Sequence, residues 1–142
     1  MIETIRRIVR GLLAAAFVAA AVPKIAAPGD FALALFRYRL LPEPAINPVA
    51  LALPWLEILA ALALLDRRWR GAGAAWLALL LAAATAAMAF ARARGFDIDC
   101  GCFSVRPGAS PIRALSLVRN AALLALVVWS ARRGAAPGGK PR

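Results

Sequence analysis

Histidine is absent from the 142 residues, and cysteine occurs only twice, at Cys100 and Cys102. The first absence removes imidazole haem ligation, histidine zinc sites and histidine general bases. The second removes a thiolate zinc site, because two cysteines of one chain cannot fill a four-ligand shell. Charge is scarce as well: 18% of the residues are charged, against about a quarter in an ordinary soluble domain. Only seven residues are acidic and eighteen are basic, for a formal net charge of +11. A nucleic-acid surface would use that charge as one long run or interleave it with aromatics. Here the basic residues stand in short clusters between apolar blocks, as anionic headgroups and the positive-inside rule produce. No nucleic-acid partner is expected. With 63% hydrophobic residues and a mean hydropathy of +0.72, lipid is the solvent this chain fits.

What is abundant is alanine and leucine, gathered into four blocks. Gly11 to Pro28 is interrupted only by Lys24, and Pro44 to Leu65 carries Glu57 as its one charge. Gly71 to Ala91 runs 21 residues without a charge, and Ala114 to Ala131 contains Arg119 and Asn120. A spanning helix needs about 20 apolar residues. The expected fold is therefore all-α: an integral membrane four-helix bundle in a single domain, with spans at about 8–28, 45–66, 71–92 and 112–132. The opening MIETIRRIVR followed by GLLAAAFVAAA also has the basic start, apolar centre and small-residue end of a secretory signal peptide. Cleavage there would leave the direction of the second span unchanged.

Arg6, Arg7, Arg10, Arg67, Arg68, Arg70, Arg132, Arg133, Lys140 and Arg142 fall on one side of such a bundle. Arg37, Arg39, Arg92, Arg94, Arg106 and Arg113 fall on the other, diluted by Asp30, Glu43, Asp97 and Asp99. The bias places both termini in the cytoplasm of a plasma membrane and turns the 93–111 loop outward. The other outward loop, GDFALALFRYRLLPEP, has Asp30 as its expected N-cap. Phe31, Leu35 and Tyr38 recur at i, i+4 and i+7, with Leu41 a turn further, and Pro42 and Pro44 end the pattern. This predicts a short amphipathic helix over about 29–41 at the outer interface, with an ordered loop as the alternative.

Lys24, Glu57 and Arg119 lie inside the spans, where a charge must be paired or solvated. Lys24 and Arg119 both approach from the outer face, so either can partner Glu57, with Asn120 adding a hydrogen bond. One reading is that these groups only lock the helices in register. The other is a polar pocket for a small polar group such as a quinone head, or a proton relay, with Trp55 and Phe90 as candidate walls.

The pair in DCGCFS has three readings: idle thiols, a Cu(I) site of two thiolates, or a redox pair. Gly101 permits backbone angles that would let Cys100 and Cys102 close into a disulfide. So small a ring adds little loop-closure stabilisation and carries strain. Strained, exposed disulfides are the more oxidising and labile type.

The order AAVPKIAAPGDFALALFRYRLLP, LPWLEILAAL, GFDIDCGCF and LVRNAALL, across about residues 11 to 131, resembles the methylamine-utilisation MauE family, within the DoxX-like group of small four-helix membrane proteins. Ser104 departs from the CGCFG pattern of such proteins. The resemblance implies a bacterial plasma-membrane protein linked to maturation of a disulfide-rich periplasmic client, in company with a thioredoxin-like partner. It also implies Cys100 and Cys102 as the redox pair and Lys24, Glu57, Arg119 and Asn120 as the polar core. A relay passing electrons across the membrane by thiol exchange alone would need further cysteines. The expected acceptor is then a membrane quinone near the buried charges, or a second outward partner. A non-catalytic assembly factor and a small-molecule carrier built on those charges are the competing functions.

Overall fold

The computed structural model describes residues 1–95 and 114–132. Within them the chain forms five helices: α1 (Ile2–Ala26), α2 (Pro28–Tyr38), α3 (Glu43–Leu65), α4 (Arg70–Ala93) and α5 (Ala114–Ala131). Alanine and leucine have the highest helix propensities, and the punctuation between helices is supplied by proline. Ala27 precedes Pro28, and a residue before proline is pushed out of the α region. It sits at φ −132°, ψ 69°, ending α1 and starting α2 as a single shared cap. Its N–H still donates to Pro23 O at 3.1 Å, and its carbonyl accepts from Phe31 N–H at 3.2 Å. The expected cap at Asp30 is corrected: α2 begins at Pro28, the favoured first helical residue, and Asp30 lies in its first turn. There its charge faces the positive end of the helix dipole. Arg39, at φ 52°, terminates α2.

Helices α1, α3 and α4 are each long and apolar enough to cross a membrane. Helix α5 is apolar and shorter, at 18 residues, or about 27 Å at the standard rise. The four long helices close a ring in which α1 touches α3 and α5, and α4 touches α3 and α5. This is the four-helix membrane bundle, with the short α2 as a fifth element against α3 and α1. The observed helices overlap all four expected spans. The main difference is that α1 extends six residues further toward the N-terminus than expected.

The chief core cluster joins Leu13, Ala14 and Phe17 of α1, Ala60, Ala61 and Leu64 of α3, Leu77 and Leu81 of α4 and Val127 of α5. Lipid is as apolar as leucine, so helices in it associate by close packing rather than by expelling water. Small residues accordingly face inward, while Leu12, Leu51, Leu59, Leu62 and Leu79 face out. The tightest approach is at Gly73, where a Cβ would lie 2.7 Å from both Ala60 O and Leu64 N, and 2.9 Å from Ala63 C. These are backbone atoms and cannot swing aside. Gly71, two residues earlier, would meet nothing within 4 Å.

The two glycines make a matched test. Gly73→Ala forces α3 and α4 apart and should lower stability by about 1–3 kcal/mol. Gly71→Ala should be neutral or stabilising by up to about 1 kcal/mol through helix propensity. Thermal unfolding in detergent micelles measures both, and equal stability of the two variants would contradict the packing described.

Candidate functional site

Lys24 lies in the last turn of α1, one residue after Pro23, and Glu57 lies one turn after Pro54 in α3. Both are buried, at 5% and 8% exposure. The Lys24 ammonium donates to both carboxylate oxygens, at 2.8 Å to Oε1 and 2.9 Å to Oε2. It also lies 5.3 Å from the centre of the Phe31 ring, so α2 contributes a cation–π contact to the same charge. Of the two cations the sequence offers, Lys24 is the one that pairs with Glu57. The pairing bridges α1 and α3 under α2 and neutralises two charges that separately would be costly in an apolar surround.

Asn120 of α5 is 1% exposed. Its Nδ2 donates to Thr85 Oγ1 at 3.4 Å, and the Thr85 hydroxyl in turn donates to Leu81 O at 2.6 Å. Thr85 escaped the sequence reading, although it is the single hydroxyl in the charge-free Gly71 to Ala91 run. Arg119 is half-buried beside Asn120.

Lys24, Glu57 and Asn120 all reach the wall of one cavity of about 320 Å³. Its remaining wall is mostly apolar, with Phe17 and Ala20 from α1, Phe31 and Tyr38 from α2, Leu53 from α3 and Leu81, Ala84 and Ala87 from α4. Leu40 and Leu41, from the link after α2, complete one side. Arg119 is not part of this wall, nor are the expected Trp55 and Phe90. Trp55 points out of the bundle at 57% exposure, and the Phe90 ring stacks under Arg94 at 4.4 Å. Ligand sites are typically apolar with a few placed polar groups and begin near 300 Å³. An apolar cavity of about 150 Å³ already holds benzene, so this one has room for a substituted ring. Among the described residues no cluster of three or more acidic or sulfur side chains could hold a metal ion.

Cys100 and Cys102 lie outside the described residues. The two points from which their segment departs, Gly95 after α4 and Ala114 at the start of α5, are at the α2 end of the bundle. There Tyr38 of α2 packs with Met88 and Ala91 of α4 and against Leu117 of α5.

At the opposite end, Arg10 is 2% exposed. It donates to Ser130 O at 2.8 Å and to Glu3 Oε1 at 2.8 Å. Arg6 donates to Arg132 O at 3.2 Å and lies 5.4 Å from the Trp129 ring centre. Two arginines of α1 thus satisfy carbonyls at the C-terminus of α5, which a helix end leaves without partners. Sequence reading assigned these residues only to topology.

The family model described as "Methylamine utilisation protein MauE" matches residues 2–133. Methylamine utilization protein MauE of Methylophilus methylotrophus is 33% identical over 114 residues, which is 80% of this chain and 60% of that protein. The chain thus matches less than two thirds of the relative's length. No solved structure matches.

Removing one member of the buried pair should be worse than removing both. Lys24→Met strands the Glu57 carboxylate and should lower stability by about 3–5 kcal/mol, whereas Lys24→Met with Glu57→Met should recover most of that loss. A double-mutant cycle by unfolding in micelles reads the coupling. A double variant no more stable than Lys24→Met alone would show that the pairing does not hold α1 to α3.

Proposed function

Since the chain belongs to the MauE family of methylamine utilisation proteins, we propose that it is a plasma-membrane thiol–disulfide redox protein that matures an extracytoplasmic client in methylamine use. The carrying observation is the apolar cavity with a charged pair in its wall, at the end of the bundle from which the Cys100–Cys102 segment departs. In this reading both termini are cytoplasmic, the cysteine segment faces outward, and a thioredoxin-like protein or the client itself is the partner. A client thiolate attacks the Cys100–Cys102 disulfide and forms a mixed disulfide with one of the two cysteines, releasing the other as a thiolate. The second client thiol resolves it. The client gains a disulfide, and the pair ends as two thiols carrying the two electrons and two protons.

Regeneration requires an acceptor for those two electrons and two protons, and the chain has no third cysteine. A membrane quinone fits the cavity by size and by its mostly apolar wall, and would leave as the quinol. The chain's own groups have defined parts in this. An ammonium has three donors. Two are directed at Glu57, and the third would be available to a ring oxygen in the cavity. Asn120 supplies a second donor from the α5 side. The Lys24–Glu57 pair would place a proton donor in a mostly apolar wall, where negative charge would develop on a quinone oxygen.

The decisive experiment uses the purified full chain with a reduced client and a short-chain quinone. Cys100→Ser with Cys102→Ser should abolish client oxidation; with the client supplied instead as its disulfide, the single variant that keeps the exchanging cysteine should trap the mixed disulfide and the other should not. Lys24→Met combined with Glu57→Met, which keeps most of the stability, should slow quinone-dependent reoxidation by about tenfold or more, the loss expected of one charged hydrogen bond, while client exchange persists. Full function in the double serine variant would remove the redox role. Reoxidation that ignores both quinone and Lys24 would remove the quinone step alone.

A further inference from the structure

The end of the bundle opposite α2 carries seven arginines among the described residues, Arg6, Arg7, Arg10, Arg67, Arg68, Arg70 and Arg132, against two carboxylates, Glu3 and Asp66. The carboxylates are already engaged. Glu3 Oε1 accepts from Arg10, and Asp66 Oδ1 accepts from Arg68 N–H at 2.7 Å, closing the turn between α3 and α4. Arg10 and Arg6 are spent on the carbonyls of α5. What remains is a convergence from two separate parts of the chain. Arg70, the first residue of α4, lies within electrostatic range of Arg67 on its own link and of Arg7 and Arg10 on α1. Glu3 feels Arg7, Arg10 and Arg70 at once. One carboxylate cannot balance them. Arg70 Nε is moreover buried without a hydrogen-bond partner among the described residues, as is Arg6 Nε. A buried donor left unmade is costly, and like charges brought together repel unless an anion joins them.

We propose that Arg7, Arg67 and Arg70 form a binding site for the phosphate of an anionic phospholipid, seated between the N-terminal turns of α1 and α4. Guanidinium groups match phosphate oxygens in a two-pronged geometry. Helix α4 begins without a side-chain cap, so its first N–H groups add positive potential toward the same anion. A lipid rather than a free anion fits the surroundings. Ile5, Ile8 and Leu12 run outward along α1 from this level and give acyl chains an apolar track. Trp69, beside Arg70, is 58% exposed at the end of its helix, the place where amphipathic rings mark the membrane interface. The site is independent of the redox reading and lies at the other end of the molecule.

The test uses the full chain in a neutral detergent, titrated with phosphatidylglycerol, phosphatidylcholine or inorganic phosphate, with bound species counted by native mass spectrometry. Phosphatidylglycerol should be retained selectively, and its binding should weaken as salt rises. Arg7→Gln should weaken it about fivefold, and Arg7→Gln with Arg70→Gln about 25-fold, from the usual contribution of one basic residue near an anionic headgroup. Arg7 is exposed, so the single variant reads binding even where the double one is unstable. Arg37→Gln at the α2 end should leave retention unchanged. Equal retention of phosphatidylcholine, undiminished retention in Arg7→Gln, or an equal effect of inorganic phosphate alone would each overturn the lipid site.

Discussion

The ion pair between Lys24 and Glu57 sets the terms for the α2 half of the molecule. Neither charge is tolerable alone in an apolar interior, so α1 and α3 must meet at a fixed height and rotation. Pro23 and Pro54 stand one residue and one turn before the two charged residues. Each removes a backbone donor and with it one link of the helical ladder. The Phe31 ring against the ammonium then places α2 over the pair. Position of the short helix, enclosure of the cavity and polarity of its wall all follow from one bridged charge.

The other half is organised differently. There the contacts are steric, with Gly73 letting the α4 backbone press against Ala60 and Leu64, and arginines of α1 closing off the carbonyls of α5. Side chains contribute volume to the core at Leu64, Leu77 and Val127, all fully buried. The cavity opens above this region, where alanines such as Ala20, Ala84 and Ala87 leave space that larger residues would fill.

The helices, the short helix after the first span and the partnership of buried charges were legible in the sequence because each rests on composition or periodicity. Choosing Lys24 over Arg119 required the third dimension, since both residues approach from the same side. Trp55 could have been excluded earlier. Two residues before Glu57, it points to nearly the opposite face of the same helix. Arg10 was illegible for a different reason. Within a basic cluster, an arginine that turns inward to a carbonyl 120 positions away looks the same as one that faces headgroups. Helix α3, apolar on all sides, likewise shows no preferred face until α1 and α4 are packed against it.

The single residue between α1 and α2 has a mechanical consequence. Ala27 leaves no slack at that joint, whereas four residues, Arg39 to Pro42, connect the far end of α2 to α3. A tilt of α2 would therefore turn about Ala27 and displace most the side that carries Leu40 and Leu41. These two leucines already form part of the cavity wall and are themselves exposed on the bundle surface. On this side the wall of the cavity and the lipid-facing surface of the bundle are made by the same two side chains.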